Sequence, residues 1–280
     1  MKVCIIGLEL IGGSMAIDLK KRKFTDYIVG VDNSSLHAHT ALRLGIIDEI
    51  ADLKTAVKKT DFIILAIPAN ASMKILPEIL DLIDNQVVTD VGSTKEPICK
   101  IVEYHKNRSQ YVAAHPMAGT EHSGPCAAKS SLFDGKAVII TDAEKSNPEV
   151  LKETKRMFNC LHMHLIYMSS KNHDIHVAYV SHISHISSFA LALTVLEKEN
   201  NEKNIFDLAS GGFDSTVRLA KSSSDMWVPI FTQNAENIIA VLDNYISQIN
   251  NFKNKIQERN AEELTQLILK ANQIKKILGE

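Results

Sequence analysis

The side chains best suited to chemistry in this 280-residue sequence fall in a few short stretches. AAHPMAGTEHSG carries His115, followed by Pro116, which fixes the local chain and withholds an amide hydrogen. Gly119 and Gly124 then let the segment fold back over a ligand. A histidine titrates near neutrality, so it suits removal of a hydroxyl proton while hydride leaves the attached carbon. DVGSTKEP offers the Ser93 hydroxyl, which can orient His115 or a substrate, and Lys95, which can hold an anion or pair within the protein. A structural histidine and a turn-forming serine are the competing accounts of His115 and Ser93.

The opening MKVCIIGLELIGGS supplies a second kind of chemistry. An apolar run into Gly7, then Gly12 and a helical pattern, is how a strand, phosphate-binding turn and helix of a dinucleotide fold begin. Gly7 serves the tight turn and Gly12 the close packing of helix on strand, but Glu9 stands where the middle glycine usually does. Asp32 ends YIVGVD, twenty residues after Gly12, where an acid accepts hydrogen bonds from the adenosine ribose; a capping aspartate is the alternative. NSSLHAH follows without Arg or Lys to neutralise a 2′-phosphate, so NAD is expected rather than NADP. The expected cofactor contacts are Gly7, Leu8, Leu10, Ile11, Gly12, Asp32, Ser93 and the small, stiff turn Ala66, Ile67 and Pro68. Glu9 is expected to point away from the pyrophosphate, leaving the turn's amides to face it.

A histidine run invites a metal reading. His173 and His176 are three apart, as are His182 and His185. Yet no H-E-x-x-H occurs, and three-residue spacing alone is weak evidence for zinc, so no metal is expected.

These residues need elements to position them. KVCIIG, YIVGVD, FIILAIP, QVVTDVG, QYVAAHP, KAVIIT and the short MHLIYM read as strands alternating with helices, an α/β pattern with a mainly parallel sheet. From about Ser170 the chain reads as long helices: VSHISHISSFALALTVLEKEN, MWVPIFTQNAENIIAVLDNYISQINNF and AEELTQLILKANQIKKILG. The expected organisation is a Rossmann-like NAD-binding domain over 1–168 and an all-helical substrate-binding and dimerisation domain over 169–280. Broad apolar faces on the late helices suggest a homodimer.

Bulk properties agree. Hydrophobic residues make up 45% and charged residues 23%, with a net charge of −2, which gives no reason to expect nucleic acid or a membrane as partner. The four cysteines form no close pair and read as reduced thiols. The start reads as a folded strand rather than a signal peptide, and no run of eighteen apolar residues stands out. A cytoplasmic location is expected.

Taken in order, GLELIGGS, DVGSTKEPI, HPMAGTEHSG, HDIHVAYVSHISH and GGFDSTVRLA resemble the prephenate/arogenate dehydrogenase family of tyrosine biosynthesis over about residues 1–245. The resemblance implies NAD-dependent oxidative decarboxylation. Hydride leaves the ring carbon bearing the hydroxyl, carbon dioxide leaves the opposite carbon, and the ring becomes aromatic. It further implies His115 as the catalytic histidine on the ring hydroxyl, Ser93 as its companion and Arg218 as a substrate-carboxylate ligand. His182 and His185 belong to the substrate pocket by the same resemblance, with His173 near it. A guanidinium suits a substrate with two carboxylates because it can hold one bidentately.

Departures from the family pattern are Glu9, Ser184 in place of proline within SHISH, and Ser215 and Val217 ahead of Arg218. Without that proline the helix through SHISH is expected to run unkinked. Prephenate is the favoured substrate; arogenate, a β-hydroxyacid substrate, or a non-enzymatic nucleotide-sensing dimer are the alternatives.

Overall fold

The computed structural model describes residues 1–199, 208 and 210–278. Its strands are β1 Lys2–Ile6, β2 Tyr27–Val31, β3 Glu49–Ile50, β4 Phe62–Leu65, β5 Val87–Asp90, β6 Tyr111–Pro116, β7 Ala137–Thr141 and β8 His164–Met168. They form one sheet in the order β3-β2-β1-β4-β5-β6-β7-β8. Six of its pairings are parallel, and β6 with β7 is antiparallel. The 117–136 connection contains only a short 3-10 turn, Pro125–Ala127, in place of a crossover helix, so the chain returns alongside β6 in the opposite sense.

The apolar runs follow from burial on both faces. Val3 and Ile5 of β1 join one core cluster with Leu8, Met15 and Leu19, while Cys4 and Ile6 join another with Ile63, Leu65 and Leu76. A strand covered on both sides must be apolar at every position, which is why the periodicity is continuous rather than alternating. The helices α1 Leu10–Lys21, α2 Ser35–Arg43, α3 Leu53–Lys59, α4 Ala69–Leu82, α5 Glu96–Ile101 and α6 Pro148–Cys160 intervene between the strands. Strand order reverses between β1 and β4, and the crevice outside the carboxyl ends at such a reversal is where this architecture binds ligands.

Beyond β8 run α7 Ser170–Val177, a π-helical turn Ala178–His182 and α8 Ile183–Glu199, without a break at Ser184. Ser184 Oγ donates back to the Val180 carbonyl at 3.5 Å, which a proline in its place would not do. By length and composition the helix Ser170–Glu199 is able to cross a membrane, with a mean hydropathy of 1.3 over its most apolar 18-residue window. Its buried side chains nevertheless include His173, Asp174, His182 and Ser188, polar groups that fit a helix packed in protein. Then come α9 Gly211–Val217, α10 Ser224–Gln233, α11 Ala235–Gln257, α12 Ala261–Ala271 and α13 Ile274–Leu278. The helix expected over 226–252 is thus divided at Asn234, whose side chain is used elsewhere.

Residues Met1–Asn234 form one compact unit and Ala235–Glu280 a second. The change from strands to helices at residue 168 falls inside the first. Within the second, Lys255 ties α11 to α12 through Glu263 at 2.6 Å, and it also meets Glu258 at 3.0 Å.

Candidate active site

The first turn after β1 is built for close approach. Gly7 has φ +94°, and a Cβ there would lie 2.3 Å from the Ala66 carbonyl oxygen. A Cβ on Gly12 would come within 1.9 Å of the Gly7 oxygen, so the start of α1 can seat against β1 only with glycine at 12, while glycine at 7 lets the turn pass beside the end of β4. Asp32, at the end of β2, accepts from the Leu8 amide at 2.9 Å and the Ser34 amide at 2.8 Å. It therefore does local turn work as well. Each carboxylate oxygen keeps a second acceptor site for ribose hydroxyls.

Glu9 caps α1 by position, with no hydrogen bond from its side chain to the helix. Its carboxylate leans across instead, 3.4 Å from the Gly124 amide and 3.7 Å from His37 Nδ1. His37 lies 3.9 Å from Asp32 as well, a juxtaposition that the pattern of NSSLHAH does not announce.

Three strands along from β1 and at the same carboxyl edge of the sheet, β6 delivers His115 as its penultimate residue, partly exposed. Its Nδ1 lies 2.8 Å from His173 Nε2, with the rings edge to face. His173, from α7, is fully buried, and its Nδ1 lies 2.7 Å from an oxygen of Asp174. That carboxylate also accepts the Lys95 amide at 2.8 Å and the Glu96 amide at 2.9 Å, locking α7 to the start of α5. Both nitrogens of His173 are thus engaged by protein, so its ring faces His115 and not open space.

Lys95 pairs within the protein. Its ammonium is buried, ion-paired with Asp90, and donates to the Ala114 carbonyl at 2.8 Å. Asp90 is itself held by the Tyr111 hydroxyl at 2.6 Å and the Gly92 amide at 2.9 Å. Ser93 sits partly exposed in the same loop, and among the described residues its hydroxyl has no hydrogen bond with His115. The protein partner of His115 is His173.

The histidines on the π-helical turn and α8 converge on one aromatic. His182 is buried, with its Nδ1 3.2 Å from the side-chain nitrogen of Asn234, which also donates to the Asp174 carbonyl at 2.7 Å. His185 Nδ1 donates to the Ser181 carbonyl at 3.0 Å, and the ring stacks on Trp227 at 3.5 Å. His182 meets the same indole edge-on. Arg218, half exposed, lies 3.4 Å from Glu121 in the segment after β6.

Burial governs protonation here. It pushes His115 well below its ordinary value, assisted by His173, Lys95 and His182. It takes His173 down to about 3, with Lys95, His182 and His176 adding to the effect. It takes His182 down to about 4, against an opposing pull from Asp174. Asp174 is raised by burial and partly restored by the Lys95 and Glu96 amides. The three histidines are neutral at pH 7, so each has one donor and one acceptor nitrogen. Among the described residues no cluster of three or more metal-ligating side chains occurs.

Asp174, Trp227, Glu121 and Asn234 are site residues that sequence reasoning missed. Asp174 had a signal, an acid adjacent to a histidine in HDIH; the others had none.

The family model "Prephenate dehydrogenase, nucleotide-binding domain" matches residues 15–167, and "Prephenate dehydrogenase, dimerization domain" matches residues 169–270. The chain is 34% identical to the prephenate dehydrogenase of Bacillus subtilis, over 94% of this chain and 72% of that protein. It superposes on the crystal structure of the Aquifex aeolicus prephenate dehydrogenase with hydroxyphenyl propionate and NAD+ at TM-score 0.87. That match has 32% identity and covers 100% of this chain and 98% of that one. The Synechocystis arogenate dehydrogenase is similar at TM-score 0.77 and 25% identity, covering 99% of this chain and all of that one.

Proposed function

This chain belongs to the prephenate dehydrogenase family, and from that premise we propose that it catalyses the NAD-dependent oxidative decarboxylation of prephenate. The products are 4-hydroxyphenylpyruvate, carbon dioxide and NADH, in tyrosine biosynthesis. The carrying observation is His115: a neutral histidine at the end of β6, anchored through one nitrogen and partly exposed.

The residues present fit the cofactor. Glycine at 7 and 12, where a Cβ would strike the Ala66 and Gly7 carbonyls, sets the tight turn and brings the start of α1, with its free amides, to the end of β1, and Asp32 retains acceptor capacity for ribose hydroxyls while repelling a 2′-phosphate. Gly7, Leu8, Leu10, Ile11, Gly12 and Asp32 would hold the adenosine and pyrophosphate, with Ala66, Ile67, Pro68 and Ser93 toward the nicotinamide. NAD, when bound, supplies the hydride acceptor.

His115 takes the ring-hydroxyl proton as hydride departs and returns it to the phenolate oxygen once carbon dioxide has left. Arg218 exchanges its contact with Glu121 for a substrate carboxylate, and His182 and His185, set around Trp227, line the same pocket. Lys95 is neutralised by Asp90, which withholds a buried cation from the carboxylate that must leave. A cation there would stabilise the ground state more than the transition state.

The functional division follows residue 168, with the nucleotide part before it and the helical part after it. Leu193 and Leu196 on α8 are 66% and 50% exposed in the single chain, and Ile246 and Ile249 on α11 are 50% and 49% exposed. A homodimer through the helices of 169–280 would cover them, in a cytoplasmic enzyme; light scattering on the purified chain would report the dimer mass. The decisive assay follows NADH formation with prephenate and with arogenate. A higher kcat/KM on prephenate is expected, a clear arogenate preference would reassign the substrate, and turnover of neither would overturn the reading.

A further inference from the structure

We propose that His173 and Asp174 are positioning residues that set the tautomer of His115, so that its Nε2 is the nitrogen that takes the substrate proton. This rests on the reading of His115 as the base. Hydrogens follow from the partners. One backbone amide donates to each Asp174 oxygen and the Lys95 ammonium lies nearby, which favours the ionised carboxylate, whose oxygens can only accept from His173 Nδ1. His173 therefore donates from Nδ1, and its Nε2, in a neutral ring, holds a lone pair. That lone pair lies 2.8 Å from His115 Nδ1, which must then carry the hydrogen. The lone pair left on His115 is then at Nε2, which has no hydrogen-bond partner among the described residues.

The same chain serves the next step. When Nε2 gains the proton, the Nδ1 hydrogen keeps its acceptor and the charge on His115 faces a carboxylate through one intervening ring. This is the logic of a base oriented by a second group and a buried acid, here with a histidine between them. Reversal of the chain, with a proton on Asp174, would put the His115 hydrogen on Nε2 and turn the base into a donor. The other titratable groups facing this chain are the Lys95 ammonium, already paired with Asp90, and His176 and His182.

The arrangement also explains a feature of the sequence. Asp174 spends its oxygens on amides at the start of α5, 78 and 79 residues away, so its orientation is fixed from outside its own helix. A carboxylate free to rotate would not fix a tautomer.

The test has two arms. Nitrogen-15 NMR of the histidine-labelled full-length protein, with His115→Asn to assign the ring, should show His115 protonated at Nδ1; protonation at Nε2 would overturn the proposal. In the kinetic arm, Asp174→Asn should lower kcat by about 100-fold or more while prephenate KM and NAD Kd stay within about threefold, as expected for loss of a base's orienting partner. Because Asp174 also clamps α5, a second pair guards against simple misfolding. His173→Gln, which keeps an acceptor toward His115, should exceed His173→Ala in kcat by about tenfold. Equal kcat in those two, or wild-type kcat in Asp174→Asn, would overturn the proposal. If wild type fails to oxidise prephenate, the proposed function falls. If wild type is active, His115→Asn is dead and His115 is Nε2-protonated, only the positioning chain falls.

Discussion

The two polar assemblies of the site are built in opposite ways. His115 meets His173 at 2.8 Å and His173 meets Asp174 at 2.7 Å, and His173 and Asp174 are buried. Arg218 lies 3.4 Å from Glu121, with the guanidinium half exposed. A buried, satisfied network holds one arrangement because leaving any member unpaired is costly. An exposed ion pair is worth little and exchanges partners readily. The first is suited to chemistry that needs a fixed nitrogen; the second is suited to capturing an anion that must arrive and leave.

That contrast can be broken experimentally, and the largest effect belongs at the buried end. His115→Asn should cut kcat by roughly 10²–10⁴-fold, the usual scale for positioned acid–base catalysis, with NAD affinity retained. Steady-state kinetics alongside calorimetric titration of NAD would check both halves; a kcat near wild type would remove His115 from its role.

At the exposed end the loss should appear mainly in binding. Arg218→Ala should raise the KM for prephenate by about 10–100-fold, the range of one charged hydrogen-bonding partner, with a smaller fall in kcat. Arg218→Lys should recover only part of this, because an ammonium cannot match a carboxylate bidentately. Unchanged KM and kcat in Arg218→Ala would leave it a surface residue.

Burial of neutral histidines also predicts a pH dependence of stability. His182 binds its proton at about 4 when folded and near 6.5 when unfolded, so the unfolded chain holds more protons between those values. Stability should therefore be fully present above about pH 6.5 and fall as pH drops toward 4, at about 1.4 kcal/mol per pH unit for this one group. His173, taken down to about 3, adds to the slope. Urea unfolding at pH 7, 6 and 5 would measure it, and His182→Asn should flatten the curve; an identical slope in wild type and variant would rule out the contribution.

The smallest expected effect lies at the nucleotide turn. Glu9→Gly removes a carboxylate from the mouth of that turn, and the Kd for NAD should fall by a few-fold, an advantage that shrinks at high salt if Coulomb repulsion is its cause. The preference for NAD over NADP should persist, since Asp32 is unchanged. Tighter NAD binding by wild type would mean that the contacts of Glu9 with Gly124 and His37 hold the turn together.

How much of this was legible depended on how local each cause was. The strand runs, Gly7 and Gly12, the twenty-residue step to Asp32, and His115 at a strand end are all written in neighbouring residues, because strand burial and tight turns impose residue types within a few positions. The two-residue β3 has too few positions to show a period, and the antiparallel return of β7 depends on a connection that lacks a crossover helix. The break at Asn234 falls in the polar stretch TQNAEN, where asparagine suits a helix start, but the apolar periodicity on either side carries a helical reading straight through it. Its side chain finds partners on Asp174 and His182, 60 and 52 residues earlier.

From the sequence by itself came the α/β pattern feeding a helical region, the dinucleotide turn with an acid suited to NAD, and the histidine, serine and arginine that could serve a hydroxyl and a carboxylate. Only the tertiary structure decided that Lys95 spends its charge on Asp90, that His173 turns both nitrogens inward, and that Asp174 is oriented by the start of α5. Composition and spacing report which groups a chain carries and which face of an element they occupy. Protonation state, tautomer and partner are set by burial and by hydrogen bonds between elements distant in sequence, and those exist only once the sheet and helices have docked.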